Sequence, residues 1–100
     1  MFVIFLAFAE NRDKAGGLMD AHKAWIREGL DDGVFLLVGN LLPRAGGAII
    51  ADGENFKAIE ERIARDPFVA EGVVTAAVHE IAPSLASGPF AALLNREPTA

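Results

Sequence analysis

The sequence contains no cysteine and no tyrosine, only two histidines, and serine only at Ser84 and Ser87. The lack of cysteine excludes disulfides, thiolate zinc sites and cysteine nucleophiles, and it fits a reducing compartment. Both serines lie close to the C-terminus with no histidine beside them, so a serine-nucleophile site is not expected. No His, Asp and Glu set has HExxH or facial-triad spacing, so neither a metal nor a cofactor is expected. Gly16-Gly17 and Gly46-Gly47 match neither GxGxxG nor GxxxxGK, which leaves no phosphate loop. Positive charge is also scarce: 9 Lys and Arg stand against 14 Asp and Glu, and no basic run occurs. A net charge of −5 argues against nucleic acid as a partner. The longest apolar run, "MFVIFLAFA", falls short of the roughly 20 residues that span a bilayer. It also lacks the basic flank of a signal peptide. The expectation is a cytoplasmic protein with no membrane partner.

What is present is apolar. Hydrophobic residues make up 52% of the 100 positions, more than one small core hides, which points to self-association. "FVIFLAF" (2–8) reads as a strand apolar on both faces. A helix is predicted to begin between Asp13 and Leu18 and to run to about Asp32. Leu18, Ala21, Trp25 and Leu30 mark its apolar side, widened by Ile26. Gly33 suits the position just past its end. "VFLLVGNLL" (34–42) and "AIIA" (48–51) read as two strands of a hairpin around "PRAGG". A second helix is predicted from about Glu54 to Arg65, capped by Asp52 or Asn55. Phe56, Ile59 and Ile63 share its inner face, with Glu60, Glu61, Arg62 and Arg65 largely outside. "DPF" stops this helix, residues 67–71 suit a short extra turn, and "VVTAAVHEIA" (73–82) reads as the last strand. The tail holds a small apolar cluster of Phe90, Leu93 and Leu94.

The order βαββαβ predicts an α+β, ferredoxin-like domain over 1–83, followed by a tail over 84–100. Two helices cover one sheet face. The other face is apolar too and needs a second layer, which implies a homodimer packed sheet to sheet.

Two residues stand out for chemistry. His22 lies at the border of the predicted helical stripe and is a possible general acid or base. On the residues alone it is more often a half-exposed histidine with no role beyond packing. Asp66, directly before Pro67, makes a good N-cap and N1 pair for a short helix. Capping also fixes the carboxylate, and a fixed carboxylate can orient an imidazole and select its tautomer. His79, in the last strand, reads as a surface or interface residue, and Trp25 as core.

The segments "FVIFLAF", "AHKAWI", "GVFLLVGNLLP" and, most specifically, "ARDPFVAEGVV" resemble the YCII-related (YciI-like) family over residues 1 to about 83. The resemblance implies a ferredoxin-like fold that dimerises into an α+β barrel. It also implies a site built from the helix histidine and the Asp-Pro aspartate, here His22 and Asp66. Members often carry an arginine about three residues before the histidine. That position is Met19 here, and Arg12, in the preceding loop, is its candidate substitute. Many members have Gly-Pro where this chain has Gly39-Asn40.

Together these readings describe a small, cofactor-free enzyme of lyase or isomerase type acting on a small, possibly ring-containing molecule. His22 would be the acid or base and Asp66 its orienting partner. Trp25 and Phe68 would wall the pocket, and Gly39, Asn40 and Arg12 would contact the substrate. The alternative is a non-catalytic dimeric module that binds a small ligand or a partner. A haem- or quinol-oxidising relative is a third, weaker option.

Overall fold

The structure is a computed structural model that describes residues 1–94. Four strands, β1 (Phe2–Phe8), β2 (Phe35–Leu41), β3 (Gly46–Ala51) and β4 (Val74–Glu80), form one antiparallel sheet in the order β2-β3-β1-β4. Helix α1 (Ala15–Asp31) links β1 to β2. Helices α2 (Phe56–Ala64) and α3 (Pro67–Ala70) link β3 to β4, and α4 (Gly88–Leu93) follows the sheet. A 3₁₀ turn at Arg12–Lys14 leads into α1. This is the ferredoxin-like βαββαβ arrangement, the fold of dimeric α+β barrels. The two crossover helices must return the chain to the same sheet face.

Local chemistry sets the ends of the elements. Asn55 caps α2, its side-chain oxygen accepting from the Ala58 N–H at 2.8 Å. Gly33, at φ +73°, ends α1 in the left-handed conformation that glycine adopts without penalty. The β2–β3 turn is tighter than expected, so β3 starts two residues early, at Gly46. Gly46 has φ +122°, and a Cβ there would collide with the Leu6 carbonyl oxygen.

The sheet register sorts the core from the outer face. Phe2, Ile4 and Leu6 point toward the helices, opposite Ala51, Ile49 and Gly47 of β3. With Trp25, Phe35, Ile59, Ile63 and Phe68 they form the core. Trp25 packs edge-on against Phe35 at 5.1 Å, and its Nε1–H donates to the Arg62 carbonyl at 2.9 Å. Val3, Phe5, Ala7, Leu37, Ile50, Thr75, Ala77 and His79 occupy the opposite face. There Phe5 is 38% and Leu37 60% exposed. Among the described residues that face carries no Asp, Glu, Lys or Arg.

Three expectations need correction. The apolar stripe of α1 is rotated: Ala21 is exposed and Leu30 is 36% exposed, while Trp25 and Gly29 are buried and Ala15, Leu18, Met19 and Ile26 pack on the core. Residues 15, 18, 19, 22, 25, 26 and 29 are spaced three and four apart, so His22 lies within the stripe rather than at its border. The small Gly29 is part of the reason, because a Cβ there would enter the Phe35 ring. On α2, Arg62 is not outside but 6% exposed, three residues after Ile59 on the inner face, while Phe56 is 39% exposed. Its stem is buried and its head is paired, as a long cationic side chain permits. In the tail, Ala91 and Leu94 are buried, Phe90 is half-buried and Leu93 is 57% exposed; residues 95–100 of the expected tail lie outside the described residues.

Candidate active site

The site begins with the tripeptide Asp66-Pro67-Phe68. Asp66 has extended backbone (φ −62°, ψ 123°) and Pro67 opens α3 behind it, as a proline at N1 does. Asp66 Oδ1 accepts from the Phe68 N–H at 3.0 Å, an N-cap bond. The cap orients both side chains of the motif toward α1. His22 Nδ1 lies 2.7 Å from the same Oδ1. The Phe68 ring stacks on the imidazole with centroids 3.9 Å apart and planes 4° apart. The imidazole is therefore held at its edge by a carboxylate and on its face by an aromatic ring. Trp25 stacks more distantly, at 5.9 Å.

Burial makes this arrangement rigid. Asp66 is completely buried, and the His22 side chain is 12% exposed. Asp66 Oδ2 is buried with no hydrogen-bond partner among the described residues. An unpaired buried acceptor is costly, and such exceptions in a native fold call for a reason. A carboxylate only accepts, so Nδ1 is the nitrogen that carries hydrogen. That selects the tautomer whose Nε2 lone pair is free. Nε2 is neither buried nor hydrogen-bonded among the described residues. The group can take up or release a proton there.

His22 faces a cavity of about 440 Å³ between α1 and the sheet. A register feature creates the space. Leu6, Gly47 and Asn40 lie in one row across β1, β3 and β2, and Gly47 has no side chain between the other two. A Cβ at Gly47 would find ordinary contacts, 3.5 Å from the Gly39 carbonyl oxygen and 3.9 Å from Leu6, so the hollow is a property of this residue rather than of a crowded backbone. Helix α1 contributes Ala15, Met19, Lys23 and Ile26, spaced around His22; Phe8, Arg12, Phe68 and Val74 complete the wall. A second lobe of about 230 Å³ reaches Gly39 and Val38.

The structure thus brings His22, Asp66, Phe68, Asn40 and Arg12 together, and places Gly39 in the adjoining lobe. Trp25 lies behind the site in the core and lines neither space. Met19 and Ile26 were foreseeable, three residues before and four after His22 on one helix. Lys23 was hidden by its ordinary surface composition. Gly47 carries no signal, because its importance lies in the strand it faces. Among the described residues no group of three or more His, Asp or Glu is placed to hold a metal ion. No helix there is long and apolar enough to cross a membrane.

Similar proteins agree with this geometry at the level of fold. No curated protein matches the chain. Among solved structures it is similar to 5-chloro-2-hydroxyhydroquinone dehydrochlorinase from Burkholderia phenoliruptrix AC1100, in complex with 2,5-dihydroxybenzoquinone. The TM-score is 0.66 at 15% identity, over 82% of this chain and 94% of that one. The model of the YCII-related domain matches residues 1–82, and the chain belongs to that family.

Proposed function

We propose that this protein is an enzyme that moves a proton on a small, ring-containing substrate to bring about an elimination or isomerisation, with His22 as general base and acid. The observation that carries this reading is the 2.7 Å contact of His22 Nδ1 with buried Asp66, which leaves Nε2 unpaired on a residue that lines a cavity of small-molecule size. The structural neighbour, a dehydrochlorinase that binds a dihydroxyquinone, supports it through shared fold. In an elimination, Nε2 takes a proton from the substrate, the released electron pair becomes a new π bond, and the leaving group departs as an anion with its own bonding pair. In an isomerisation the same nitrogen returns the proton at a second atom. Neither sequence requires an external oxidant or reductant, and the proposed enzyme is cofactor-free. Asp66 holds the tautomer and offsets the positive charge that forms on the imidazole, while Phe68 keeps its plane. Asn40, Arg12 and the backbone near Gly39 are the proposed substrate contacts, and Trp25 supports the site from behind.

The uncharged outer sheet face supports a homodimer packed through that face in a cytoplasmic protein. Sedimentation at micromolar concentration is expected to give twice the chain mass, and a monomer would rule the dimer out. The enzyme reading is tested by turnover of a panel of halogenated and hydroxylated cyclic acids and quinols by wild type, His22→Ala and Asp66→Asn. Full activity in both variants, with the fold intact, would falsify the dyad. The alternative is a non-catalytic ligand-binding module, favoured by the largely apolar wall of Leu6, Phe8, Met19, Ile26 and Val74. Ligand binding that survives loss of His22, without turnover at any pH, would select it.

A further inference from the structure

A recess of about 250 Å³ opens off the mouth of the His22 cavity, lined by residues of the β2–β3 hairpin. It shares Phe8, Arg12, Asn40 and Gly46 with that cavity and adds Arg44. The charges are one-sided. In a chain with 14 carboxylate side chains and a net charge of −5, the ionisable groups lining the cavity and the recess, besides His22, are Arg12, Lys23 and Arg44. Among the described residues no Asp or Glu lines either space. Random placement of an acidic chain's charges disfavours that outcome.

Arg12 is held in place without being neutralised. The Arg12 guanidinium lies 4.0 Å from the Phe8 ring centroid, a cation–π contact that fixes the group and leaves its N–H donors available. Neither arginine forms an ion pair among the described residues. Arg44 sits at φ +109°, a left-handed conformation that a residue with a Cβ rarely adopts. A turn has no need of arginine there, since glycine would adopt that φ freely. Backbone strain of this kind clusters at ligand clamps.

We propose that Arg44, together with Arg12, forms an anion subsite at the mouth of the cavity that selects planar ring substrates bearing an ionised oxygen, carboxylate or enolate. The subsite rests on the proposed use of His22: the ring lies against His22 and Phe68, and its anionic oxygen reaches the recess. A guanidinium presents paired N–H donors in the geometry a carboxylate accepts. Helix position 19, an apolar methionine, supplies no charge, so besides Lys23 on α1 the cations come from the loop and the hairpin.

The test is NMR titration of the ¹⁵N-labelled full chain with benzoate, its neutral counterpart benzamide, and 2,5-dihydroxybenzoquinone, which is ionised at neutral pH. The anions are expected to shift amides of residues 11–15 and 40–47 and to bind about tenfold more tightly than benzamide. Arg44→Gln should remove most of that preference and leave benzamide unchanged. Arg44→Gly should do the same without lowering the melting temperature, which separates loss of the cation from loss of the fold. Whichever anion binds more tightly identifies carboxylate or enolate as the preferred oxygen. Equal affinity for all three rings, failure of both anions to shift these amides, or a charge preference that persists in the Arg12→Gln/Arg44→Gln double variant would overturn the subsite. The outcome is separable from the proposed catalysis. His22→Gln should keep the charge preference, so a subsite without turnover and turnover without charge preference are distinct results.

Discussion

Helix α2 and the cap after it bury two charged side chains four residues apart, Arg62 and Asp66, and the two are treated differently. Arg62 is saturated. Its Nε and Nη2 donate to the two Glu54 oxygens at 3.0 and 3.1 Å, and Nη1 donates to Asp32 at 3.1 Å. Its guanidinium lies 5.9 Å from the Phe35 ring, and its carbonyl accepts from Trp25. The group ties the end of α1 to both ends of α2 and lines neither lobe of the cavity. Asp66 spends one oxygen twice and leaves the other buried and unpaired. Its partner His22 keeps a free nitrogen and lines the cavity. A closed network stabilises the fold, and an open one has capacity for chemistry.

That contrast is broken most sharply at His22. His22→Ala is expected to lower turnover by about 10² to 10⁴-fold, the range for a general acid or base, while thermal unfolding shows a folded protein. Asp66→Asn should lower kcat more than it raises KM, because the amide can still cap α3 but no longer selects the tautomer.

Arg62→Met tests the other half. It should cost about 2–3 kcal/mol of stability in denaturant unfolding, since it strands Glu54 and Asp32 and the site beside it is untouched. The figure sits below that for a fully buried pair because the two acidic partners are partly exposed. The kcat of the folded fraction should stay unchanged. If Arg62→Met abolishes turnover while the protein remains folded, the division between the two networks is wrong.

Gly47→Ala adds one methyl group in ordinary contact distance and should raise KM several-fold without unfolding the protein, read from steady-state kinetics beside a melting curve.

The smallest effect is in acid. The hydrogen bond from Arg62 holds the Glu54 carboxyl below its ordinary value of 4.5, against a smaller opposing push from burial. A carboxyl whose folded-state pKa is depressed contributes stability that is fully present above the unfolded value. That contribution is lost as pH falls through the folded value, so unfolding midpoints should begin to drop below about pH 4.5. Glu54→Gln should flatten this part of the profile and leave the neutral-pH site unaffected.

Much of this protein is written locally. Chain order, strand composition, a cap for α2 at Asp52 or Asn55, the glycine stop at Gly33 and the Asp66-Pro67 start of α3 all follow from interactions spanning a few residues, and local sequence determines them. The rarity of histidine singles out His22, but with 14 carboxylate side chains in the chain it is the resemblance to the YCII-related family that names Asp66 as its partner. Three features needed the tertiary structure. The rotation of α1 that puts His22 inside the buried stripe depends on Gly29 meeting Phe35, a contact between a helix and the strand after it. The burial of Arg62 depends on carboxylates 8 and 30 residues away. The 2.7 Å meeting of His22 and Asp66 joins positions 44 apart, and the cavity beside it exists because Gly47 falls opposite Leu6 and Asn40. The physical reason is the same in each case. Propensities, caps and turns act over one helical turn, whereas packing and register couple segments whose separation in the chain carries no pattern of its own.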